Sequence, residues 1–278
     1  MKITFWGTRG SIATPGKDTV KYGGNTTCIE VRLGDGSLLI FDAGTGIRKL
    51  GDKLVKNNEK FINIFLTHPH WDHIQGFPFF APMYMKGYKI WVHGWPTTNR
   101  KVRNAITDQM EGTYFPVDFS QLAADIDFIE IEDLNLDYNS ARMSFLRCNH
   151  PVVCHAIKIE DHGKSFVFMT DNELDMEKPL TRWEEFVDFC QGASLLVHDA
   201  QFDERESAIR KGWGHSSYIR VLDLAREAEV AKLGLFHHDP SHSDSQVDAI
   251  VEDSQRRIKE ENLGFECFGT REGQEIEI

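Results

Sequence analysis

No apolar run in this 278-residue chain approaches the roughly 18 residues that a membrane span needs. The opening MKITFWGTRG also lacks the pattern of an export signal. A cytoplasmic protein with no membrane partner is therefore the expectation. The sequence contains no CxxC pair: Cys28, Cys148, Cys154, Cys190 and Cys267 are scattered and odd in number, so reduced thiols are expected rather than a disulfide framework. There is no repeat, no low-complexity tract and no Pro/Ser linker, which leaves one domain over residues 1–278 as the expected organisation. Positive charge is also short. Thirty-one Lys and Arg stand against 43 Asp and Glu, a net charge of −12. Such a surface repels phosphate backbones at long range, so stable nucleic-acid binding is not expected.

What is present suits a globular α/β chain, with 41% hydrophobic and 11% aromatic residues. Lys2–Trp6, residues 27–33 and residues 37–41 are rich in β-branched and aromatic residues and are separated by Gly and Asp, as short strands are. Residues 62–66, apolar apart from Asn63, read with 195–197 as strands covered on both faces, and 233–236 reads as a further strand. Between the later strands lie helix signals. Thr181 and Glu184 read as a capping box for a helix ending at Gly192, and Ser243 with Gln246 reads as another, followed by a stripe of Val247, Ile250, Val251 and Ile258. A helix over 216–230 would place Leu222, Ala225 and Ala228 on one face, and one over 98–110 would do the same for Val102, Ile106 and Met110. Short strands with intervening helices predict two sheets sandwiched between helices.

The chemistry concentrates where the strand at 62–66 runs into Thr67-His68-Pro69-His70-Trp71-Asp72-His73. Imidazole and carboxylate donors suit zinc, or manganese and iron where more oxygen is present. In an extended segment His68 and His70 project to the same side and can share one ion. Asp72 and His73 fall where the chain turns and can reach a second.

This H-x-H-x-D-H run after a strand resembles the signature of the metallo-β-lactamase superfamily. With FWGTRGS…YGGNT near the start, FDAGTG at 41–46 and the later His and Asp segments in order, the chain is similar to the phosphodiesterase branch, which includes ribonuclease Z and the phosphoribosyl cyclic phosphodiesterase type. The resemblance implies a four-layer αββα sandwich of two mixed sheets flanked by helices. It also implies a binuclear centre. His68, His70 and His150 would hold one cation, Asp72, His73 and His237 the other, and Asp171 would bridge them. His238 competes with His237, which is preferred because it directly follows the strand at 233–236. The segments LLVHDAQF and GWGHSS resemble those that supply an acid and a histidine in ribonuclease Z-like enzymes, here Asp199 and His215. Aspartate replaces the usual glutamate, so their pairing rests on a shorter side chain.

The implied reaction is hydrolysis of a phosphodiester by a hydroxide bridging two divalent cations, zinc first and manganese or iron as alternatives. Asp72 and Asp171 would fix the hydroxide, and His215, held by Asp199, would protonate the leaving alkoxide. In ribonuclease Z a long arm that grips tRNA commonly lies between the third histidine and the bridging aspartate. Here only 21 residues separate His150 from Asp171, so a small cyclic nucleotide or cyclic sugar phosphate is the expected substrate. RNA 3′-processing and thiolester or lactone hydrolysis are the alternatives, and a homodimer is a further expectation from the resemblance.

Asp42 has two readings, orienting a ligand histidine or accepting local backbone N–H groups in a turn. Arg9 in GTRGS is a weak candidate to face the site, and the loop lacks nucleotide-loop spacing. His93, His155, His162, His198 and His242 read as structural. The aromatic stretches 77–80, 91–95 and 114–115 read mainly as core, with a pocket wall as the alternative. The long interval 77–149 reads as an insertion that shapes specificity.

Overall fold

A computed structural model describes residues 1–96 and 101–278. The described residues form two seven-stranded sheets. In the first, β1 (Lys2–Gly7), β2 (Cys28–Arg32) and β3 (Leu38–Phe41) pair antiparallel, and β4 (Phe61–Phe65), β5 (Lys89–Gly94) and β6 (Asp125–Glu130) continue from β3 in parallel. The second sheet repeats the plan. Strands β7 (Asn135–Tyr138), β8 (Ala141–Arg147), β9 (His155–Asp161) and β10 (Lys164–Met169) run antiparallel, then β11 (Leu195–Asp199), β12 (Lys232–Phe236) and β13 (Glu266–Gly269) run parallel to β10. Strand β14 (Glu275–Glu277) returns to pair with β1.

Strand β3, most of β4, β11 and most of β12 are buried on both faces, although Asn63 interrupts the apolar run of β4 and His198 and Asp199 close that of β11. Between the sheets lies a phenylalanine layer: Phe41 stacks on Phe166 and Phe168, and Phe168 meets Phe236 edge-on at 5.4 Å. Outside the first sheet pack α1 (Ile47–Lys56), the one-turn α2 (Trp71–Ile74) and α3 (Val102–Thr107). The outer face of the second is covered by α4 (Trp183–Cys190), α6 (Tyr218–Glu227) and α7 (Asp244–Glu260), with α5 (Glu204–Ile209) nearby in sequence. The expected four-layer α/β sandwich is the observed architecture.

Several local expectations need correction. Thr181 does not cap α4. Its hydroxyl donates to the Arg147 carbonyl, and Glu185 accepts the Arg182 N–H instead. Helix α6 starts at Tyr218 behind the Ser217 cap, two residues later than expected, because the carbonyl of Ser216 pairs with the N–H of Phe202. The interval 77–149 is not an appendage: β5 and β6 complete the first sheet, and β7 and β8 begin the second. The helix expected at 98–110 is observed as α3 with a following turn to Met110, and residues 98–100 lie outside the described residues. All five cysteines are free and buried. Among the described residues no helix is long and apolar enough to cross a membrane.

Candidate metal centre

Parallel strands leave their C-terminal ends open as a crevice where loops can present side chains. Here β3, β4, β10, β11 and β12 end beside one another and deliver Asp42, the 68–73 segment, Asp171, Asp199 and His237 to the same place. Asp42, Asp171 and His237 all have positive φ, at 60°, 52° and 59°. A non-glycine residue pays for that conformation, so its recurrence where each chain leaves the sheet marks backbone held for the sake of a side chain.

Among the described residues the donors fall into three adjoining groups, one of them Asp199, His215 and His237. His68, His70, His150 and Asp171 present ligand atoms within 4.8 Å of one another, and so do Asp72, His73, Asp171 and His237. Asp171 belongs to both. Its Oδ2 lies 3.4 Å from His68 Nε2 and its Oδ1 lies 3.2 Å from His73 Nε2 and 3.3 Å from His237 Nε2. Asp72 Oδ2 is 3.1 Å from His237 Nε2 and also accepts the Ser11 N–H at 2.7 Å. His70 Nδ1 and His150 Nε2 face each other at 3.0 Å.

The rear nitrogens of the rings explain why the inner ones point together. His73 donates Nδ1–H to Asp42 Oδ2 at 2.8 Å, His68 to the Thr67 hydroxyl at 3.1 Å, His150 to the Gly214 carbonyl at 3.0 Å and His237 to Gln201 Oε1 at 3.0 Å. Each bond fixes the tautomer that leaves Nε2 as a lone-pair donor toward the cluster. Two glycines give the rings room. A Cβ on Gly10 would stand 2.5 Å from the His237 ring, and one on Gly214 would stand 2.1 Å from His150 Nδ1.

These residues fit a pair of cations on evidence internal to the chain. The buried Nε2 atoms of His68 and His73 have no hydrogen-bond partner, a costly arrangement unless an electrophile receives them. Burial alone would lower the pKa of His73, but the carboxylates of Asp171, Asp72 and Asp42 outweigh it and hold that pKa well above the imidazole range. The cluster therefore calls for positive charge at its centre. Burial works in the opposite sense on Asp72 and Asp171, yet the surrounding imidazoles keep both well below the usual carboxylate range. Burial keeps His68 well below 6.5 and His150 at about 4, so both are neutral donors at neutral pH.

Asp199 and His215 meet despite the shorter acid. His215 Nδ1–H donates to Asp199 Oδ2 at 2.7 Å, and its ring stacks 5.1 Å from that of His237. Burial pulls its pKa down, but Asp199, backed by Asp171 and Asp72, lifts it to about 9. His238 turns away and donates Nε2–H to the Thr270 carbonyl at 2.8 Å. Arg9 does not face the centre. It is fully buried and ties loops together through the carbonyls of Gly23, Asp239 and His242. His93 stacks on Phe65, His155 on Trp95, and His198 bonds the Asp199 carbonyl, so these three are structural as expected.

Three supporting residues escaped the sequence reading. Thr67 relays Asp42 to His68, and Gln201 backs His237. Glu173 accepts the N–H groups of Gly212 and Gly214 at 2.9 Å each, clamping the loop that carries both the His150 acceptor and His215. Each had a local signal, Thr67 beside His68, Glu173 two residues beyond Asp171 and Gln201 two beyond Asp199.

Comparison with known proteins agrees with this geometry. A family model described as Beta-lactamase superfamily domain matches residues 38–238. The chain is 25% identical over 305 residues to a protein named Ribonuclease Z from Thermoplasma acidophilum, spanning 94% of this chain and 92% of that one. It is 23% identical to Ribonuclease BN of Escherichia coli, over 88% of this chain and 91% of that one. Among solved structures it shares its fold with the metallo-beta-lactamase fold protein YhfI from Bacillus subtilis, with TM-score 0.69, 20% identity and coverage of 99% of this chain and 98% of that chain. It also shares its fold with a diphosphatase from the PhnP family, with TM-score 0.67, 15% identity and coverage of 100% and 97%.

Proposed function

The chain belongs to the beta-lactamase superfamily, as a hydrolase with the metallo-β-lactamase fold, and on that footing we propose that it is a binuclear metal-dependent phosphodiesterase acting on a small cyclic or linear phosphodiester. His68, His70 and His150 with Asp171 would hold one cation, and Asp72, His73 and His237 with Asp171 the other. Two divalent cations, when bound, lower the pKa of water toward about 7 and offset charge on phosphoryl oxygens, which is what attack on a phosphodiester at neutral pH requires. Zinc suits the imidazole-rich donor set best, with manganese or iron as alternatives.

The observation that carries the reading is the Asp199–His215 pair at the edge of both ligand groups. An alkoxide leaving from phosphorus is strongly basic and needs a proton as the bond breaks. With Nδ1–H engaged by Asp199, the Nε2–H of His215 is the one free to be given up. The Asp199 carboxylate raises its pKa and so favours the protonated ring. A thiolate leaves without such help, so a paired acid of this kind argues for phosphodiester over thiolester hydrolysis.

The relatives named as ribonucleases span nearly the whole chain and support a second reading, RNA 3′-end cleavage. Against it stand the net charge of −12 and the tight β9–β10 turn at His162–Gly163, which leaves no arm to grip a folded RNA. The test is a screen of protein reconstituted with zinc, manganese or iron. Cyclic nucleotides, a cyclic sugar phosphate, bis-p-nitrophenyl phosphate, a thiolester, a lactone and a precursor tRNA would be compared by kcat/KM. A small phosphodiester is expected to lead, with about two metal equivalents per chain. A faster thiolester or tRNA substrate would overturn the assignment.

A further inference from the structure

We propose that the cavity beside the metal centre is a nucleobase site, so that the substrate is a phosphodiester carrying a base; this rests on the phosphodiesterase reading above. The cavity encloses about 730 Å³, within the range of small-molecule pockets. Trp71, Phe79, Tyr114 and Phe115 line it, with Gln75 and Glu111 among the polar groups. Its position is fixed by the ligand segment itself. Pro69, between His68 and His70, and Trp71, between His70 and Asp72, are both lining residues. The hollow thus adjoins the centre through Pro69 and Trp71, the two residues interleaved with the ligands His68, His70 and Asp72.

The exposure of the lining aromatics is the second observation. Trp71 is 71% exposed, Tyr114 75% and Phe79 57%, while Phe77 and Phe80 of the same stretch are fully buried in the core. Large rings gathered in water around one hollow mark a surface that a ligand covers. Phe79 and Phe115 meet edge-to-face at 5.4 Å, so part of the wall is already formed. Charge selects the occupant. Among the described residues the lining includes the Glu111 carboxylate and neither Lys nor Arg. A phosphate or a polynucleotide backbone is repelled from such a hollow, whereas a planar neutral ring with N–H donors on its edge is accepted. A nucleobase combines that flat face and donor edge with a sugar that leads to the phosphodiester.

The test combines binding with kinetics on the metal-loaded protein. Uncharged adenosine, guanosine and cytidine are titrated against tryptophan fluorescence, with ribose as control. At least one nucleoside should quench, ribose should not, and Trp71→Phe should lose most of the change. In turnover, Trp71→Ala and Tyr114→Ala should each raise KM for the preferred cyclic nucleotide roughly 5- to 100-fold, the scale of one lost stacking contact, with kcat within about 3-fold. KM for a base-free cyclic sugar phosphate should stay within about 2-fold. Tyr114 is far from the ligand segment in sequence, so its variant guards against a local disturbance by Trp71→Ala. Equal losses on both substrates, no quenching by any nucleoside, or quenching that follows a dimer dissolved by Tyr114→Ala would overturn the base site. Nucleoside binding without hydrolysis of any phosphodiester would uphold the site and overturn the activity instead.

Discussion

Asp42 accepts the Nδ1–H of His73 at 2.8 Å on the face of the ring opposite Asp72 and Asp171. The same carboxylate accepts the Thr67 backbone N–H at 2.8 Å and the Thr67 hydroxyl at 2.9 Å, and that hydroxyl accepts from His68. One buried acid outside both ligand groups thus orients a histidine in each. The strand-end conformation that puts it there has φ 60°.

Asp42→Asn follows directly. Whichever way its amide faces, the nitrogen-bearing side meets a donor, so either the Thr67 backbone anchor or the contacts from His73 and the Thr67 hydroxyl are lost. Metal affinity should fall about 10- to 100-fold, read by competition with a chromophoric chelator. Affinity equal to the parent protein would show that the two rings are held by packing alone.

Asp171→Ala and His215→Ala should separate metal binding from proton donation. Asp171 faces both ligand groups, so its removal should cost most of the bound metal and about 10³-fold or more in kcat. His215→Ala should keep both metal equivalents and lose roughly 10²- to 10⁴-fold in turnover of an alkoxide-leaving substrate. With p-nitrophenolate as leaving group that loss should shrink, because the departing oxygen is already a weak base. A His215→Ala protein stripped of metal would assign that histidine to the ligands.

Gly214→Ala tests the loop that joins these functions. Its φ of +87° disfavours any side chain, and a Cβ would collide with His150 Nδ1. The Glu173 clamp on Gly212 and Gly214 leaves the loop little freedom to retreat. The His150 ring must therefore shift, and one metal equivalent should be lost or weakly held while the second persists. Metal content after dialysis reads this directly, and two tightly held equivalents would contradict it.

The run from His68 to His73 was legible because its donors are neighbours in sequence and periodicity places them. Asp171 and His237 were legible only as residues at strand ends in a familiar order. Of the two readings of Asp42 the structure takes the first: it orients His73, and the backbone N–H it also accepts comes from Thr67, 25 residues away, rather than from its own turn. Glu173 and Gln201 lie two residues beyond Asp171 and Asp199, but their partners are 39 to 41 and 36 residues away, and a Glu or Gln in sequence carries no sign of such reach. Arg9 was only a weak candidate to face the site, and its Nε and Nη1 are engaged instead by the carbonyls of Gly23, Asp239 and His242. Of residues 77–80, Phe77 and Phe80 fall in the core as the main reading expected, while the intervening Phe79 is exposed at the cavity.

Away from the centre, His93 and His155 give the fold a defined sensitivity to acid. Both are buried, His93 stacked on Phe65 with its Nε2–H donated to Asn63 Oδ1, and His155 stacked on Trp95. Burial lowers each from 6.5 to about 4. Between those values the unfolded chain binds a proton that the folded chain refuses, so stability is intact above about 6.5 and declines as the pH falls toward 4. Each histidine should contribute on the order of 2–3 kcal/mol to that decline. Ligand histidines also titrate in acid, so the informative quantity is a difference. Urea midpoints measured from pH 7.5 to 4.5 in excess chelator should converge for parent and His93→Gln as the pH falls. The variant starts lower through its lost stack but carries no proton penalty at this position. Parallel curves across the whole range would mean that His93 takes up its proton without leaving the stack.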